Sequence, residues 1–464
     1  MNRYEKYSDS ELSWEETIPE HWDVKRIARV FDIRKEKNFP IKTKEILSLS
    51  AKYGVSLYSD KKEKGGNKPK EDLTAYNLCY PGDILINCMN VVAGSVGISN
   101  YFGAVSPVYY PLVNISQEKN NTRYMEYVFR NYNFQRSLVG LGKGIQMSEA
   151  DDGRLYTVRM RISWDMLKTQ LLPIPPINEQ EQIANYLDWK INEINKLIKI
   201  ENEKIKLLNE LLAKEIENLI FNNSDKASNS NWYQSVPMLS EEIKIKFIFS
   251  LRDERNHLPE SDVDLISLYT KWGVILNEDI EIKTGNKNTT VENYKKVYED
   301  DIVVNIMLCW MGAIGVSKYN GVTSPAYDIY KPNLDLVVPK YYHYMFRTNK
   351  FRSELFKKGK GIVLMKWRVY SDKFKNIIVP LPEISEQKRI VELIEEKQKI
   401  ALGNISIIKE KLTELKNLKQ ALISEIVTGK IDVRNIVIPE YEKVIVLDDE
   451  TEEFDEMEGI EDGD

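Results

Sequence analysis

Tyr80-Pro-Gly-Asp-Ile-Leu-Ile-Asn87 reappears 218 residues later as Tyr298-Glu-Asp-Asp-Ile-Val-Val-Asn305. At the same offset Gly94-Ser-Val-Gly97 meets Gly312-Ala-Ile-Gly315, and Ser106-Pro-Val-Tyr109 meets Ser324-Pro-Ala-Tyr327. Upstream, Lys52-Tyr-Gly-Val55 answers Lys271-Trp-Gly-Val274. Downstream, Gly142-Lys-Gly-Ile145 falls on Gly359-Lys-Gly-Ile362, and Pro173-Ile-Pro-Pro-Ile-Asn-Glu-Gln180 on Pro380-Leu-Pro-Glu-Ile-Ser-Glu-Gln387. So many short matches in one order mean that the chain is two copies of one unit.

Each unit divides into a globular part and a helix. Short β-branched runs such as Asp83–Asn87 and Asp301–Asn305 are bounded like strands. Thr122–Ser137 and Lys340–Phe356 carry aromatic residues at helical spacing. The fold class expected is a compact α/β (α+β) domain in two tandem copies. The proline pairs stop any upstream helix, and Asn178 and Ser385 are the expected N-caps of two long helices, with Glu181 completing a capping box in the first. Positions 187, 191, 194, 198, 201, 205, 208, 212, 215 and 219 step by four and three, and all but Glu201 and Glu215 are Leu or Ile. The series from 394 to 426 is apolar in the same way, Ala401 included, with Gln398 and Lys419 as its exceptions.

These are two coiled-coil seams, each on a helix of about forty residues and roughly 60 Å. Each seam needs a partner, and the nearest is the other copy's helix, favoured by effective concentration. The expected arrangement is an antiparallel intramolecular coiled coil with pseudo-two-fold symmetry; a homodimeric coiled coil is the structural alternative. The expected segments are a globular domain over 1–176, a helix over 177–221 and a polar linker over 222–231. A second globular domain occupies 232–383, then a helix 384–428 and a C-terminal segment 429–464 ending in a disordered acidic tail.

The composition narrows the function. The chain has 464 residues, 42% hydrophobic and 29% charged, so wholesale disorder is excluded. Three cysteines and three histidines lie scattered, without zinc-ligand or disulfide-framework spacing. The N-terminus has no signal-peptide core, and nowhere do 18 apolar residues run together, so a soluble, cytoplasmic protein without a membrane partner is expected. The net charge of −6 is misleading, because Glu440–Asp464 holds 13 acids against Lys443 alone. The preceding 439 residues therefore carry about +6, a balance suited to a polyanion. Two similar, non-identical domains on a rigid spacer suit double-stranded DNA, whose successive major-groove faces lie about 34 Å apart.

The order of globular domain, Pro-x-Pro-Pro-x-x-Glu-Gln, long helix, second domain, Pro-x-Pro-x-x-x-Glu-Gln, long helix and Thr428-Gly-Lys-Ile-Asp-Val433 resembles the specificity subunit of type I restriction-modification systems. The resemblance covers about residues 15–435. It implies that the globular parts are target recognition domains and that the helices are spacers docking two DNA methyltransferase (modification) subunits. It implies no cofactor on this chain; S-adenosylmethionine, ATP and Mg are expected on partners, among which a restriction (motor-nuclease) subunit can join.

Candidate DNA contacts come from residue chemistry. Gly142-Lys143-Gly144 and Gly359-Lys360-Gly361 let backbone approach a surface while presenting one cation, suited to phosphate. Gln146, Arg154, Lys366 and Arg368 are nearby side chains able to bond base edges. The family often places Gln soon after this glycine; Gln146 fits, whereas the second copy has Ile362-Val-Leu-Met. Asn90 and Trp310 lie in the turns before Gly94 and Gly312, and Lys61, Lys62 and Lys64 sit in a basic glycine-containing loop.

Three catalytic readings fail on the residues. Ser106-Pro-Val-Tyr109 and Ser324-Pro-Ala-Tyr327 lack the second proline of an amino-methyltransferase motif, and no glycine-rich cofactor motif accompanies them. Glu281-Ile-Lys283, with Asp262 or Asp264 upstream, is a nuclease-like pair without a counterpart in the other copy. No GxxxxGK[ST] loop exists. The expectation is a non-catalytic subunit that binds no metal and reads a bipartite, asymmetric DNA site. The competing class is a coiled-coil scaffold that does not read sequence.

Overall fold

The computed structural model describes residues 2–51, 54–60, 69–142, 146–149, 155–158, 161–221, 226–228, 230–236, 240–270, 273–276, 291–362 and 367–444; for 146–149, 155–158, 226–227 and 236 it describes the backbone alone. The chain forms two compact units. The first joins Met1–Glu201 to Lys409–Leu447, and the second contains Asn202–Ile408. The unit boundaries thus pass through the long helices, so that each unit holds one globular part and a segment of both helices.

Both units are built on one plan, as the repeat requires. In the first, a four-stranded antiparallel sheet has the order Phe31–Ile33, Tyr109–Asn114, Ile84–Asn87, Val96–Ile98. In the second the order is Phe249–Arg252, Tyr327–Pro332, Ile302–Asn305, Ile314–Val316. The hairpin Leu47–Ser50/Gly54–Leu57 has its counterpart in Ile266–Tyr269/Gly273–Leu276. Each sheet packs on a pair of short helices, Thr122–Phe129 with Tyr132–Ser137, and Pro339–Phe346 with Asn349–Lys358. The sequence pattern suggested one continuous helix in each place. Asn131 and Thr348 divide them, because each side chain accepts the N–H three residues on and so restarts the helix as an N-cap.

The Tyr-Pro-Gly-Asp motif closes a turn and clamps the sheet. Asp83 N–H donates to Tyr80 O, and the third turn residue, Gly82, has φ +91°. Asp300 occupies that position in the second copy at φ +70°, a region aspartate tolerates better than most residues. The Asp83 carboxylate accepts two bonds of 2.8 Å from the Arg34 guanidinium and one from Tyr80 N–H. Asp301 does the same with Arg252, at 2.9 and 3.2 Å, and with Tyr298 N–H. Burial pushes the Asp301 carboxyl up, and the bonds from Arg252 and Tyr298 N–H oppose that shift.

The helices span Ile177–Phe221 and Ile384–Val427. They begin one residue ahead of the expected caps: the first intrahelical bonds are accepted by Pro176 O and Glu383 O, so Asn178 and Ser385 lie inside the first turn. A different residue of the motif anchors the helix. Gln180, fully buried, accepts from Asn121 N–H at 2.8 Å and donates to Lys119 O and Pro175 O. Gln387, also fully buried, accepts from Val338 N–H at 2.7 Å and donates to Leu336 O and Pro382 O.

In both units the helix segments run antiparallel. Glu201 meets Lys411 at 2.6 Å and Asn195 meets Lys419 at 3.2 Å in the first unit. In the second, Glu215 meets Lys397 at 2.8 Å, and Tyr344 hydroxyl donates to Gln398. All four exceptions to the apolar seam therefore find a polar partner. Paired polar groups in a seam specify register and orientation at some expense of apolar burial. The segment after Phe221 is less of a plain linker than its composition suggests: Phe221 is buried against Trp232 and Tyr233, and Lys226–Ala227 pairs with Ser235–Val236.

Beyond the second helix, Thr428-Gly-Lys-Ile-Asp-Val433 closes the first unit. Gly429, at φ +76°, lies where a Cβ would come within 2.4 Å of Pro19, and Tyr7 hydroxyl donates to its carbonyl. Lys430 pairs with buried Glu15 at 2.8 Å.

The turn at Gly82 and Asp300 yields a paired prediction. Asp300→Gly should raise stability by about 0.5–1 kcal/mol by removing the left-handed strain, and Gly82→Ala should lower it by about 1 kcal/mol. Urea denaturation of the full chain measures both.

Candidate nucleic-acid interface

In each unit the central strand runs into a glycine-closed turn. After Ile84–Asn87 come the 3-10 turn Val91–Ala93 and Gly94 at φ +78°; after Ile302–Asn305 come Cys309–Met311 and Gly312 at φ +110°. The strand-ending asparagines set the path, since Asn87 accepts from Met89 N–H and Asn305 from Met307 N–H, both at 3.0 Å. Arginines hold the turns from behind. Arg130 donates to Val96 O at 2.8 Å, and Arg347 donates to Gly312 O, Ile314 O and Thr270 O. Beside Arg347, His343 accepts from Val316 N–H; burial first, and Arg347 second, bring its pKa down to about 3. It stays neutral at physiological pH and adds no charge to this face.

The same turns receive the chain as it leaves the glycine-lysine-glycine loop. Ile162 N–H donates to Cys88 O at 3.0 Å, and Val369 N–H to Ile306 O at 2.8 Å. The fold therefore brings the hairpin that Gln146 starts to the turn after Asn90 in the first unit, and the loop of Lys360 and Arg368 to the turn of Trp310 in the second. In the first unit, Gln146–Glu149 and Leu155–Val158 form a hairpin whose second strand lies beside Val91–Ala93. Gln146 starts that hairpin opposite Val158. Asn90 is exposed, and its side chain makes no hydrogen bond among the described residues.

In the second unit Lys360 and Arg368 exchange both backbone hydrogen bonds, at 2.9 and 3.1 Å. Directly paired residues of an antiparallel ladder project on the same face, so two cations stand side by side. Both are exposed, and neither has an ion-pair partner among the described residues. Like charges placed opposite each other oppose pairing, and a polyanion would relieve that repulsion. Beneath them is an aromatic stack. Trp310 packs edge-on against Phe356 with centroids 5.2 Å apart, and Phe356 stacks on Trp367 at 5.1 Å. Trp310 is half-buried with its indole N–H donated to Met307 O at 2.8 Å, so it supports the loop from below. Gly359 is required by packing: a Cβ there would lie 2.1 Å from the Trp367 indole nitrogen. The close approach that this glycine permits is to a tryptophan of the same loop.

The remaining candidates, Lys61, Lys62, Lys64, Lys143, Arg154 and Lys366, lie outside the described residues. The two faces differ in kind. Buried Val92 occupies the place that Trp310 takes in the second copy, at the repeat offset. Sequence reasoning passed over Arg34, Asp83, Arg252 and Asp301, although Arg34 and Arg252 keep the 218-residue offset and could have been found by aligning charges across the repeat. Among the described residues no group of three or more His, Cys, Asp or Glu could hold a metal ion, and no helix is long and apolar enough to cross a membrane.

Replacing both Lys360 and Arg368 with Ala should weaken DNA binding by the assembled complex and flatten its salt dependence. The slope of log K against log salt should fall by about 2, at roughly 0.9 per phosphate contact. Fluorescence anisotropy between about 50 and 200 mM salt reads it.

Comparison with known proteins agrees with this architecture. Residues 19–207 match the family model of the type I restriction modification DNA specificity domain. The chain is 22% identical over 438 residues to the putative type I restriction enzyme MjaX specificity subunit of Methanocaldococcus jannaschii, covering 90% of this chain and 95% of that protein. Its fold is similar to a chain from the structure on complex assembly and conformational transition of the type I R-M system, with TM-score 0.61 and 12% identity over 89% of this chain and 99% of that one. The HsdS subunit from Thermoanaerobacter tengcongensis aligns with TM-score 0.45 and 13% identity, over 91% and 100%. With its duplicated domains and paired helices, the chain is similar over nine-tenths of its length to a type I restriction enzyme specificity subunit, and its first half carries the match to that family's DNA specificity domain.

Proposed function

We propose that the two recognition domains read the two halves of a bipartite, asymmetric DNA site, and that the spacer helices dock two methyltransferase subunits. The observation that carries this reading is the repetition of one domain plan with different contact loops. Lys143 and Arg161 hold in the first copy the sequence positions of Lys360 and Arg368, but the first copy has ten more residues between them, with the hairpin Gln146–Glu149/Leu155–Val158, and Val92 in place of Trp310. Identical readers would recognise a symmetric site; these two differ where they would meet bases. On this reading S-adenosylmethionine, ATP and Mg belong to partner subunits, a motor-nuclease subunit can join, and the complex works on DNA in the cytoplasm.

The helices offer a surface for those partners. Leu197, Ile200, Leu207 and Leu211 are 44–62% exposed, and each directly precedes a seam position. Ile400, Ile407 and Leu418, at 52–64%, stand in the same relation to the second seam. A second apolar stripe beside the seam gives each helix a face for a further helix to pack on.

Single-molecule methylation mapping of genomic DNA from cells with and without this chain tests the reading. A bipartite asymmetric motif that vanishes on deletion is expected; an unchanged map, with the chain co-purifying with an active methyltransferase, would overturn it. Lengthening the first helix by four residues should change the length of the unread spacer and leave both half-sites intact, in the same mapping. Replacing Leu207 and Leu211 with Ser should reduce co-purification of the methyltransferase by tenfold or more, at about 1.5–3 kcal/mol per buried leucine, without unfolding the chain.

A further inference from the structure

The most exposed large apolar residue of the described chain is Ile362, at 97%. It comes directly after Gly359-Lys360-Gly361, two residues beyond Lys360 of the cation pair with Arg368. An isolated exposed isoleucine is ordinary on a protein surface. This one stands on a built support: the loop base is fixed by the Lys360–Arg368 bridge, by the Phe356–Trp367 stack, and by Trp367 N–H donating to Phe356 O at 3.1 Å. Both cations are exposed and lack an ion-pair partner among the described residues. An apolar side chain projecting beside two unneutralised cations matches a ligand that is anionic at its edges and presents an apolar group between them. The DNA major groove fits that description, with phosphates along both rims and thymine C5-methyl groups on its floor.

We propose that Ile362 is a base-reading residue of the second recognition domain, contacting a thymine methyl group while Lys360 and Arg368 hold the flanking phosphates. The inference rests on the DNA-reading function proposed above and adds to it the chemical group that is read. The corresponding position of the first copy holds the same aliphatic residue, Ile145, followed there by Gln146 and in the second copy by Val363.

The test uses the chain assembled with its methyltransferase subunits. Methylation mapping of Ile362→Ser and Ile362→Val is followed by binding to duplexes carrying the mapped site, with each thymine of one half-site replaced in turn by uracil, which lacks only the methyl group. Ile362→Ser is expected to relax one T·A position in one half-site, lowering discrimination there about tenfold, with the other half-site and the spacing unchanged. Ile362→Val is expected to retain the motif. Uracil at that position should weaken binding of the unaltered complex about tenfold and of the Ile362→Ser complex by less than twofold. An unchanged motif in the Ser variant, relaxation of both half-sites, or equal sensitivity of both complexes to uracil would overturn the proposal and leave the DNA-reading function standing. Absence of a bipartite motif with the unaltered chain would overturn that function and this inference together. Because Ile362 is almost wholly exposed, its replacement should leave thermal unfolding and co-purification unchanged.

Discussion

A buried glutamine at the start of each long helix joins reader to spacer. Gln180 and Gln387 are wholly buried, and each uses its carbonyl oxygen and both amide protons on backbone groups of the loop before the short helix pair and of the proline turn. Nearby, Tyr124 and Tyr342 hydroxyls donate to Pro173 O and Pro380 O. A fully satisfied buried network is directional, because any other helix orientation would leave amide or backbone groups without partners. The helix cannot swivel on its domain without breaking several bonds at once. This gives the Pro-x-Pro and Glu-Gln motif a mechanical meaning that helix capping alone does not supply.

The helices carry the second constraint. A wholly aliphatic seam would bury more apolar surface, yet it would distinguish poorly between registers and between intramolecular and intermolecular pairing. Glu201 with Lys411, Asn195 with Lys419 and Glu215 with Lys397 penalise a slipped or parallel arrangement, because in those the seam charges would be buried without partners. The sheets obtain their rigidity in a related way, through Arg34–Asp83 and Arg252–Asp301. Each pair ties an outer strand to the turn before the central one, with the guanidinium 4.4 Å above the ring of Tyr80 or Tyr298. These clamps keep the recognition loops on a firm base while leaving the loops free to differ.

That division explains why the two copies retain framework and diverge at the tips. Asn87 and Asn305, Gly94 and Gly312, and Arg130 and Arg347 perform the same tasks in the two units. Val92 against Trp310, and the ten extra residues that the first copy has in its hairpin loop, do not correspond. Residues beneath the turns are held by packing and hydrogen bonding; residues above them face solvent, where few constraints act and recognition can vary.

The sequence by itself determined the duplication, the mixed helix-and-strand domains, and the two long helices with their seams. It could do so because each rests on periodicity or ordered similarity, which are local or translational properties of a chain. The seam exceptions were equally visible at Glu201, Glu215, Gln398 and Lys419, but their partners were not: a polar residue in a heptad says that a partner is needed without saying which one. Only the tertiary structure decided that Lys411 and Lys397 supply it, that Gln180 rather than Asn178 secures the helix start, and that Gly359 accommodates Trp367. It alone placed Trp310 under the loop and Lys360 beside Arg368. Those pairings join residues that the chain separates by several to some two hundred positions. Strand order and helix direction bring them together, and neither leaves a periodic trace in the sequence.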